Sequence, residues 1–264
     1  MPLLQPSFRG RLRLFFAVIV IVPIIAVGVV LFQLLGATDN FRLDSGLDKA
    51  QVAAQNTYTE DRRQAVAAMG PIRRDLPLAQ AIEDEDKPAI QERLNQLARA
   101  GGARVVLSVT DLDTFTTPGT GEAIAAASAE LENADGTPLG RLTVSTTTAN
   151  AYATDVARQL EVGVRVDREG SVLATTIPRA ANTRIPNEPG AEVTVGPTEY
   201  RTTAFTAPEP DDTTVTVRLL GEVPAPDRST TVIFVGVLIG FLALALVFAV
   251  IVSRTLSSEV SRLL

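Results

Sequence analysis

The side chains that could carry chemistry in this chain are of few kinds. The sequence contains no cysteine and no histidine, which excludes thiol chemistry, disulfide bonds, histidine acid–base catalysis and the usual zinc sites. Serine and threonine are abundant, but a nucleophile among them has no obvious base. We therefore predict no catalytic residue, no metal site and no cofactor in this stretch, and hence no enzymatic activity of its own.

Four polar residues form the candidate binding site. Arg104 begins the first predicted strand, and Asp111, Asp113 and Thr114 follow that strand in a predicted turn. A guanidinium can pair with a carboxylate, and aspartates can hold an amine. The residues could thus contact a small-molecule ligand whose identity is unknown. The alternative is that they are surface and turn residues, and the sequence leaves both interpretations open.

Other polar patterns favour structure over chemistry. The acidic run Glu83–Asp86 precedes a predicted helix, where negative charge complements the helix dipole. The pair Asp211-Asp212 lies in a proline-bounded loop and is typical of a solvated turn. Gly119 and Gly121 lack the third glycine and the following helix of a nucleotide-binding loop.

Helical patterns precede the candidate site. Residues 38–69 predict a long, rather polar helix, ended by Gly70-Pro71. Its face of small and apolar residues suits packing against a partner or against the chain's own domain. Shorter helices are predicted at Leu76–Ile82 and at Lys87–Ala100, the second with Asp86 as its N-cap. These helices lead directly into the strand that carries Arg104.

From residue 104 onward, alternating and β-branched runs predict strands. A helix is predicted at Ala149–Leu160, and Ile177–Pro197, with four prolines, is predicted to be mostly irregular. The predicted strands are Arg104–Val109, Ala125–Glu132, Leu139–Thr146, Val162–Asp167, Ser171–Thr176, Glu192–Val195, Tyr200–Thr206 and Thr213–Leu220. This order predicts an α+β fold, and the layout suggests two similar units, 72–148 and 149–222.

Two apolar segments flank these elements. No charged residue lies between Leu14 and Thr38 or between Ser229 and Ser253. Each segment exceeds the roughly 20 residues that a helix needs to cross a bilayer, so we predict transmembrane helices at 14–35 and 230–253. The alternative for the first is a signal peptide cleaved near Gly36-Ala37, although its apolar run is longer than usual for such peptides.

Basic residues set the predicted orientation. Arg9, Arg11 and Arg13 precede the first segment, and Arg254 and Arg262 follow the second. The positive-inside tendency places residues 1–13 and the C-terminal end in the cytoplasm. The chain is then a multi-pass protein of the cell membrane, with the lipid bilayer as a partner and residues 39–228 extracytoplasmic.

The predicted extracytoplasmic part is acidic. It holds 29 of the 30 acidic residues and 19 of the 24 basic residues, and its net charge is therefore about −10. Such a surface disfavours nucleic acid as a partner, because phosphates would be repelled.

The layout between the apolar segments resembles the extracytoplasmic Cache sensor domains of bacterial receptors over residues 39–222. The stretches that carry the resemblance are LAQAIEDEDKPAIQERLNQLARAGGARVVLSVTDLD, LENADGTPLGRLTVS and VGVRVDREGSVLAT. It implies one or two PAS-like antiparallel sheet modules behind a long N-terminal helix, with a pocket between sheet and covering loops. A different extracellular α+β domain is the alternative.

The resemblance does not carry a ligand with it. The amino-acid-binding subfamily of double Cache domains uses a Tyr/Trp/Asp constellation. This chain has no tryptophan, and its only tyrosines are Tyr58, Tyr152 and Tyr200. Amino-acid binding is therefore not inferred.

Residues 254–264 resemble the opening helix of a HAMP linker. Leu256, Val260 and Leu263 are spaced by four and then three residues, as in the seam of a parallel coiled coil. HAMP helices often carry proline where Glu259 stands, and this departure weakens the match. The alternative is a basic stop-transfer anchor with incidental leucines.

Together the resemblances imply the sensor half of a homodimeric bacterial signal-transduction receptor. A cue would repack the outer domain, move the second membrane helix and repack the seam. The output domain would follow Leu264, with a diguanylate cyclase favoured and a histidine kinase or chemoreceptor next. The alternatives are a two-anchor membrane protein that presents an extracellular interaction or scaffold domain and, less favoured, an extracellular enzyme.

Overall fold

A computed structural model describes residues 8–133 and 135–224, together with positions 236, 239–241, 243, 244 and 247. Residues Leu43–Val223 form one compact unit, called here the folded unit, and Met1–Arg42 with Pro224–Leu264 form a second. The second predicted membrane segment lies mostly outside the described residues, and Arg254 and the seam residues Leu256, Val260 and Leu263 lie wholly outside them. Within the described residues, no helix combines the length and apolar character that a membrane crossing requires.

Three helices come first in the chain, and the strands follow with a fourth helix between β6 and β7. The α-helices are α1 Phe8–Arg73, α2 Leu76–Glu83, α3 Lys87–Gly101 and α4 Ala149–Leu160. The strands are β1 Arg104–Val109, β2 Thr114–Thr116, β3 Ala123–Ile124, β4 Ala127–Glu132, β5 Pro138–Ser145, β6 Thr147–Thr148, β7 Gly163–Arg168, β8 Ser171–Thr175, β9 Ala191–Val195, β10 Thr198–Pro208 and β11 Thr214–Glu222. Short 3-10 turns occupy Pro178–Asn182 and Pro210–Asp212.

Helix α1 contributes to two separate hydrophobic cores. Leu47, Ala50, Ala54 and Tyr58 lie in one core. Ala65, Met69 and Ile72 lie in the other. The buried positions recur every three or four residues, so a single face of the helix packs along the folded unit. The face of small residues seen in the sequence therefore packs on the chain's own domain.

The predicted end of α1 at Gly70-Pro71 is wrong, because the helix continues to Arg73. Proline removes one backbone donor, and so close to a helix end the loss is small. The helix then closes with shorter-range bonds from the Arg74 amide to the Pro71 carbonyl (3.3 Å) and from the Asp75 amide to the Ile72 carbonyl (3.2 Å).

Side-chain caps determine where α2 and α3 begin. The Asp75 carboxylate accepts from the Leu78 amide at 2.9 Å, and the Arg93 guanidinium donates to both of its oxygens at 2.9 and 2.6 Å. These bonds hold the pKa of the Asp75 carboxyl below its usual range. Asp86 caps α3 by accepting from the Ala89 amide at 3.0 Å, which confirms the predicted N-cap.

The first sheet is antiparallel, with the strand order β2-β1-β5-β4. One of its faces packs on α1, α2 and α3 through buried side chains. These include Val105, Leu107, Phe115, Leu131, Leu142 and Val144 from the strands and Ile90 and Leu94 from α3. On the opposite face Ser108, Glu130 and Arg141 are exposed.

The second sheet is also antiparallel, with the order β8-β7-β11-β10-β9. One face packs on α4 and on the Leu47–Tyr58 part of α1. The other face is covered by the chain between β8 and β9, where Ala180 and Ile185 are buried. The predicted irregular region 177–197 thus contains a 3-10 turn and ends in β9, which pairs with β10.

The two sheets share one arrangement of strands. In the first sheet, β1 lies between β2 and β5, and β4 lies next to β5. In the second sheet, β7 lies in the same way between β8 and β11, and β10 lies next to β11. The predicted α+β class with antiparallel sheets is confirmed. Strands β2, β3 and β6 are two or three residues long, too short to produce a periodic pattern, and the sequence did not predict them.

Candidate functional site

The four predicted site residues do not converge on one point. Arg104 lies at the start of β1, and Asp111 and Asp113 lie in the turn beyond its other end. Thr114 begins β2 and pairs with Ser108 near that same end. A six-residue strand separates the two groups by roughly 16 Å. One small ligand therefore does not reach both.

Three of the four side chains are engaged in local contacts. The Arg104 guanidinium donates to the Gly121 carbonyl. Asp113 accepts from the Lys87 ammonium at 2.6 Å, and both partners are about half exposed. The Thr114 hydroxyl lies 3.2 Å from the Ser108 hydroxyl on the paired strand. These contacts stabilise the turn and the sheet edge.

Asp111 is the predicted residue that lines a concave surface. It lies in a groove of about 240 Å³ between the α2–α3 turn and the β1–β2 turn, beside Glu83 and Glu85. Asp111 and Glu85 both adopt left-handed backbone conformations, with φ of 58° and 53°. Carboxylates around a groove favour a cationic ligand group. Among the described residues, no group of three acidic, histidine or cysteine side chains is placed to hold a metal.

A second polar site lies where the chain passes between the two sheets. Residues 121–126, called here the crossing segment, contain β3, which pairs with β6. Ile124 and Ala125 are buried in the core of the second sheet. Two residues later the chain enters β4 of the first sheet. Ala125 makes the corner with φ of 52°, which is why β4 begins at Ala127 and not at the predicted Ala125.

Side chains from both sheets hold the crossing segment. Arg104 of the first sheet binds its Gly121 carbonyl. The Ser145 hydroxyl, at the end of β5, lies 2.6 Å from the Ile124 carbonyl. Arg168, at the end of β7 in the second sheet, donates to the Ala123 carbonyl at 2.6 Å. The role that the structure gives Arg104 is therefore to anchor this segment.

Glu209 is the central residue of this site. Its side chain is buried, and its carboxylate accepts from the Ala125 amide at 2.7 Å and from the Ala126 amide at 3.1 Å. The Tyr58 hydroxyl of α1 donates to the same carboxylate. Two successive amides around a left-handed residue form an anion-binding nest. Glu209 comes from the loop after β10, so it joins the second sheet to the crossing segment and to α1.

The sequence offered no signal for Glu209. The residue stands in the segment Pro208-Glu209-Pro210-Asp211-Asp212, which is typical of a solvated loop. Its partners are 83, 84 and 151 positions away in the chain. A buried carboxylate whose ligands are distant main-chain amides leaves no local pattern.

The Tyr58 phenol keeps its proton and donates a hydrogen bond to the Glu209 carboxylate. Burial raises the pKa of the Tyr58 phenol, and the neighbouring Glu209 carboxylate raises it further. The Tyr58 ring meets Tyr152 edge-on at 5.8 Å and Phe205 at 6.4 Å. The Tyr152 hydroxyl in turn donates to the Ala54 carbonyl of α1 at 2.8 Å. Aromatic packing thus fixes the donor in place.

A further buried ionic cluster lies on the covered face of the second sheet. Asp167 is 2% exposed and accepts from Arg165 at 2.8 Å and from Arg218. Arg165 also donates to the Ala180 carbonyl at 2.7 Å and to the Thr183 carbonyl at 2.6 Å. These bonds fasten the 3-10 turn to the sheet, and they satisfy charges that would otherwise be costly to bury.

No protein-family model matches the chain, and no curated protein matches it. Among solved structures, it is similar to the ligand-binding domain of the Campylobacter jejuni chemoreceptor Tlp3 in complex with 4-methylisoleucine. That match has 14% identity and a TM-score of 0.45, and it covers 73% of this chain and 95% of the other. The same domain with L-norvaline matches at 12% identity and a TM-score of 0.43, over 70% and 92% of the two chains. The sensory domain of the same receptor with isoleucine bound gives 12% and 0.40, over 70% and 93%.

Proposed function

We propose that this chain is the sensor half of a bacterial membrane receptor. The folded unit detects an extracytoplasmic cue, and the membrane segments pass the change to a cytoplasmic output domain. The main support for the proposal is the course of helix α1. One helix contributes side chains to the cores of both sheets and includes the apolar segment 14–35. A repacking of either core therefore acts directly on the helix that contains a predicted membrane span.

The proposed receptor is a homodimer. Val52 and Val66 of α1 are each 57% exposed and are 14 residues apart, two heptads along the helix. Residues at this spacing lie on nearly the same face, as in a coiled-coil seam. The leucine spacing at 256–263 supports the same state for the HAMP-like segment. A diguanylate cyclase is the favoured output, and a histidine kinase or a chemoreceptor output is next.

The site of cue recognition stays a prediction of the sequence. Of Arg104, Asp111, Asp113 and Thr114, Asp111 has the position to contact a ligand, because it lines the groove with Glu83 and Glu85. Carboxylates at this position suit a ligand that carries an amine.

The location of the folded unit tests the proposal. The chain has no cysteine, so a single introduced thiol reports one position without background. Asp135 lies exposed in the β4–β5 turn. In intact cells, Asp135→Cys should react with a membrane-impermeant maleimide. Ser7→Cys, on the predicted cytoplasmic side, should react only after permeabilisation.

The reverse labelling pattern would exclude an extracytoplasmic sensor. Protection of Asp135→Cys in intact cells, with reaction after lysis, places the folded unit in the cytoplasm. Extraction of the unaltered chain from cells without detergent would contradict the membrane segments themselves.

A further inference from the structure

The contact around Glu209 is built from strained backbone on both sides. Ala125, which donates to the carboxylate, has φ of 52°. In the loop that carries Glu209, the successive residues Asp211 and Asp212 have φ of 63° and 58°. Left-handed conformations are uncommon outside glycine, and they persist where surrounding contacts impose them. The surrounding contacts therefore hold three residues near Glu209, namely Ala125, Asp211 and Asp212, in left-handed conformations.

The loop 209–213, called here the β10–β11 loop, makes one contact with the crossing segment and one with the first sheet. Glu209 binds the amides of Ala125 and Ala126. Asp211 forms an ion pair with Arg141 of β5 at 3.1 Å, and both side chains are more than half exposed. An exposed pair contributes little. The buried carboxylate with its three donors is therefore the stronger of the two contacts.

We propose that Glu209 is a latch that makes the two sheets open as one cooperative unit, with the β10–β11 loop as the place where they separate. The latch closes when the Glu209 carboxylate occupies the nest at Ala125 and Ala126. It opens when the loop withdraws and relieves the left-handed conformations on both sides. This inference is independent of the proposed receptor function, because it concerns the coupling between sheets and not the cue.

The carboxylate is the chemical requirement of the latch. A glutamine of the same size keeps one acceptor oxygen, but it presents an NH₂ group to a backbone amide and carries no charge. Bonds to an ionised acceptor are about twice as strong as neutral ones. Helix α1 also packs on both sheets, and Arg104, Ser145 and Arg168 also hold the crossing segment. Loss of the latch therefore weakens the coupling without removing the fold.

Hydrogen exchange of residues 1–264 in detergent micelles tests the latch. In the unaltered chain, the most protected amides of β5 and of β11 should have opening equilibria within about twofold of each other, since both sheets open together. In Glu209→Gln these equilibria should separate by about tenfold or more, the effect of losing charge-assisted bonds. Tyr58→Phe removes one donor and keeps the ring, and it should give a smaller separation in the same sense.

The matched control is Asp212→Asn. It removes one charge from the same loop, and among the described contacts the Asp212 side chain makes no hydrogen bond or ion pair. This variant should leave the two sheets coupled. If the opening equilibria of both sheets stay equal in Glu209→Gln, whether both shift or neither shifts, the latch is overturned. Unequal opening equilibria in the unaltered chain would also overturn it. If Glu209→Gln does not fold, Tyr58→Phe decides by the same criterion.

Discussion

At the scale of single residues, Asp61 is a carboxyl whose surroundings make stability depend on pH. It is half-buried on α1. Burial is the largest of three causes that together raise the pKa of Asp61 to about 6, and the charges of Asp155 on α4 and of Glu60 are the other two. In the unfolded chain the pKa of an aspartate is about 3.9. The folded protein therefore binds this proton more tightly than the unfolded chain does.

The sign of the pH effect follows from this difference. The contribution of protonated Asp61 to stability is fully present below about pH 3.9 and is lost as the pH rises through about 6. Asp61→Asn should therefore stabilise the protein at pH 7.5, by on the order of 1 kcal/mol after allowance for solvent screening. At pH 4 the substitution should have little effect.

Urea unfolding at both pH values measures the difference. Asp48→Asn, an exposed position on the same helix, is the control and should change stability equally at pH 4 and pH 7.5. If Asp61→Asn gave the same change at both pH values, the proton of Asp61 would not be linked to folding.

At the scale of elements, the pairing of β1 with β5 depends on the absence of a side chain at Gly140. In the register of these strands Gly140 is opposite Val109. A Cβ atom at this position would lie 2.3 Å from the Ser108 carbonyl oxygen and 2.9 Å from the Val109 Cα. Both neighbours are backbone atoms, so no side-chain rotation can relieve the contact.

Gly140→Ala should therefore destabilise the protein by about 1–3 kcal/mol, the range for overpacking. Gly46 in α1 provides a matched comparison, because a Cβ there would meet no atom within 4 Å. Gly46→Ala should stabilise by about 0.5–1 kcal/mol, since alanine loses less backbone entropy in a helix. Urea midpoints of the two variants should move in opposite directions, and a shared direction would refute the assigned register.

At the scale of the whole molecule, the HAMP-like seam is the part of the proposed homodimer that cross-linking tests. Leu256 and Leu263 are predicted to face the partner chain. Ser258 is about 200° around the helix from Leu256, on the opposite side. In cell membranes, mild oxidation should cross-link Leu256→Cys into disulfide dimers several-fold more than Ser258→Cys. Equal yields at the two positions would show that residues 254–264 do not form a seam.

Local patterns in the sequence determined most of the secondary structure. Strand β1 and helix α4 have the predicted bounds, and Asp86 caps α3 as expected. Capping and periodicity depend on residues within a few positions of each other, so the sequence displays them directly. At Gly70-Pro71 the proline lies so close to the end of the helix that it does not stop it. At Ala125 the contacts of the crossing segment with Glu209 and Tyr58, which are distant in the chain, delay the start of β4.

Only the tertiary structure determined which polar residues are in contact. The sequence placed Arg104 and the aspartates at the two ends of one predicted strand, and the structure keeps them at separate places. It gave no sign that Glu209 would reach Ala125 and Tyr58, because that meeting depends on two sheets packed along one helix. Strand order and packing bring together residues 84 to 151 positions apart, and no spacing pattern encodes a contact whose partners are main-chain amides.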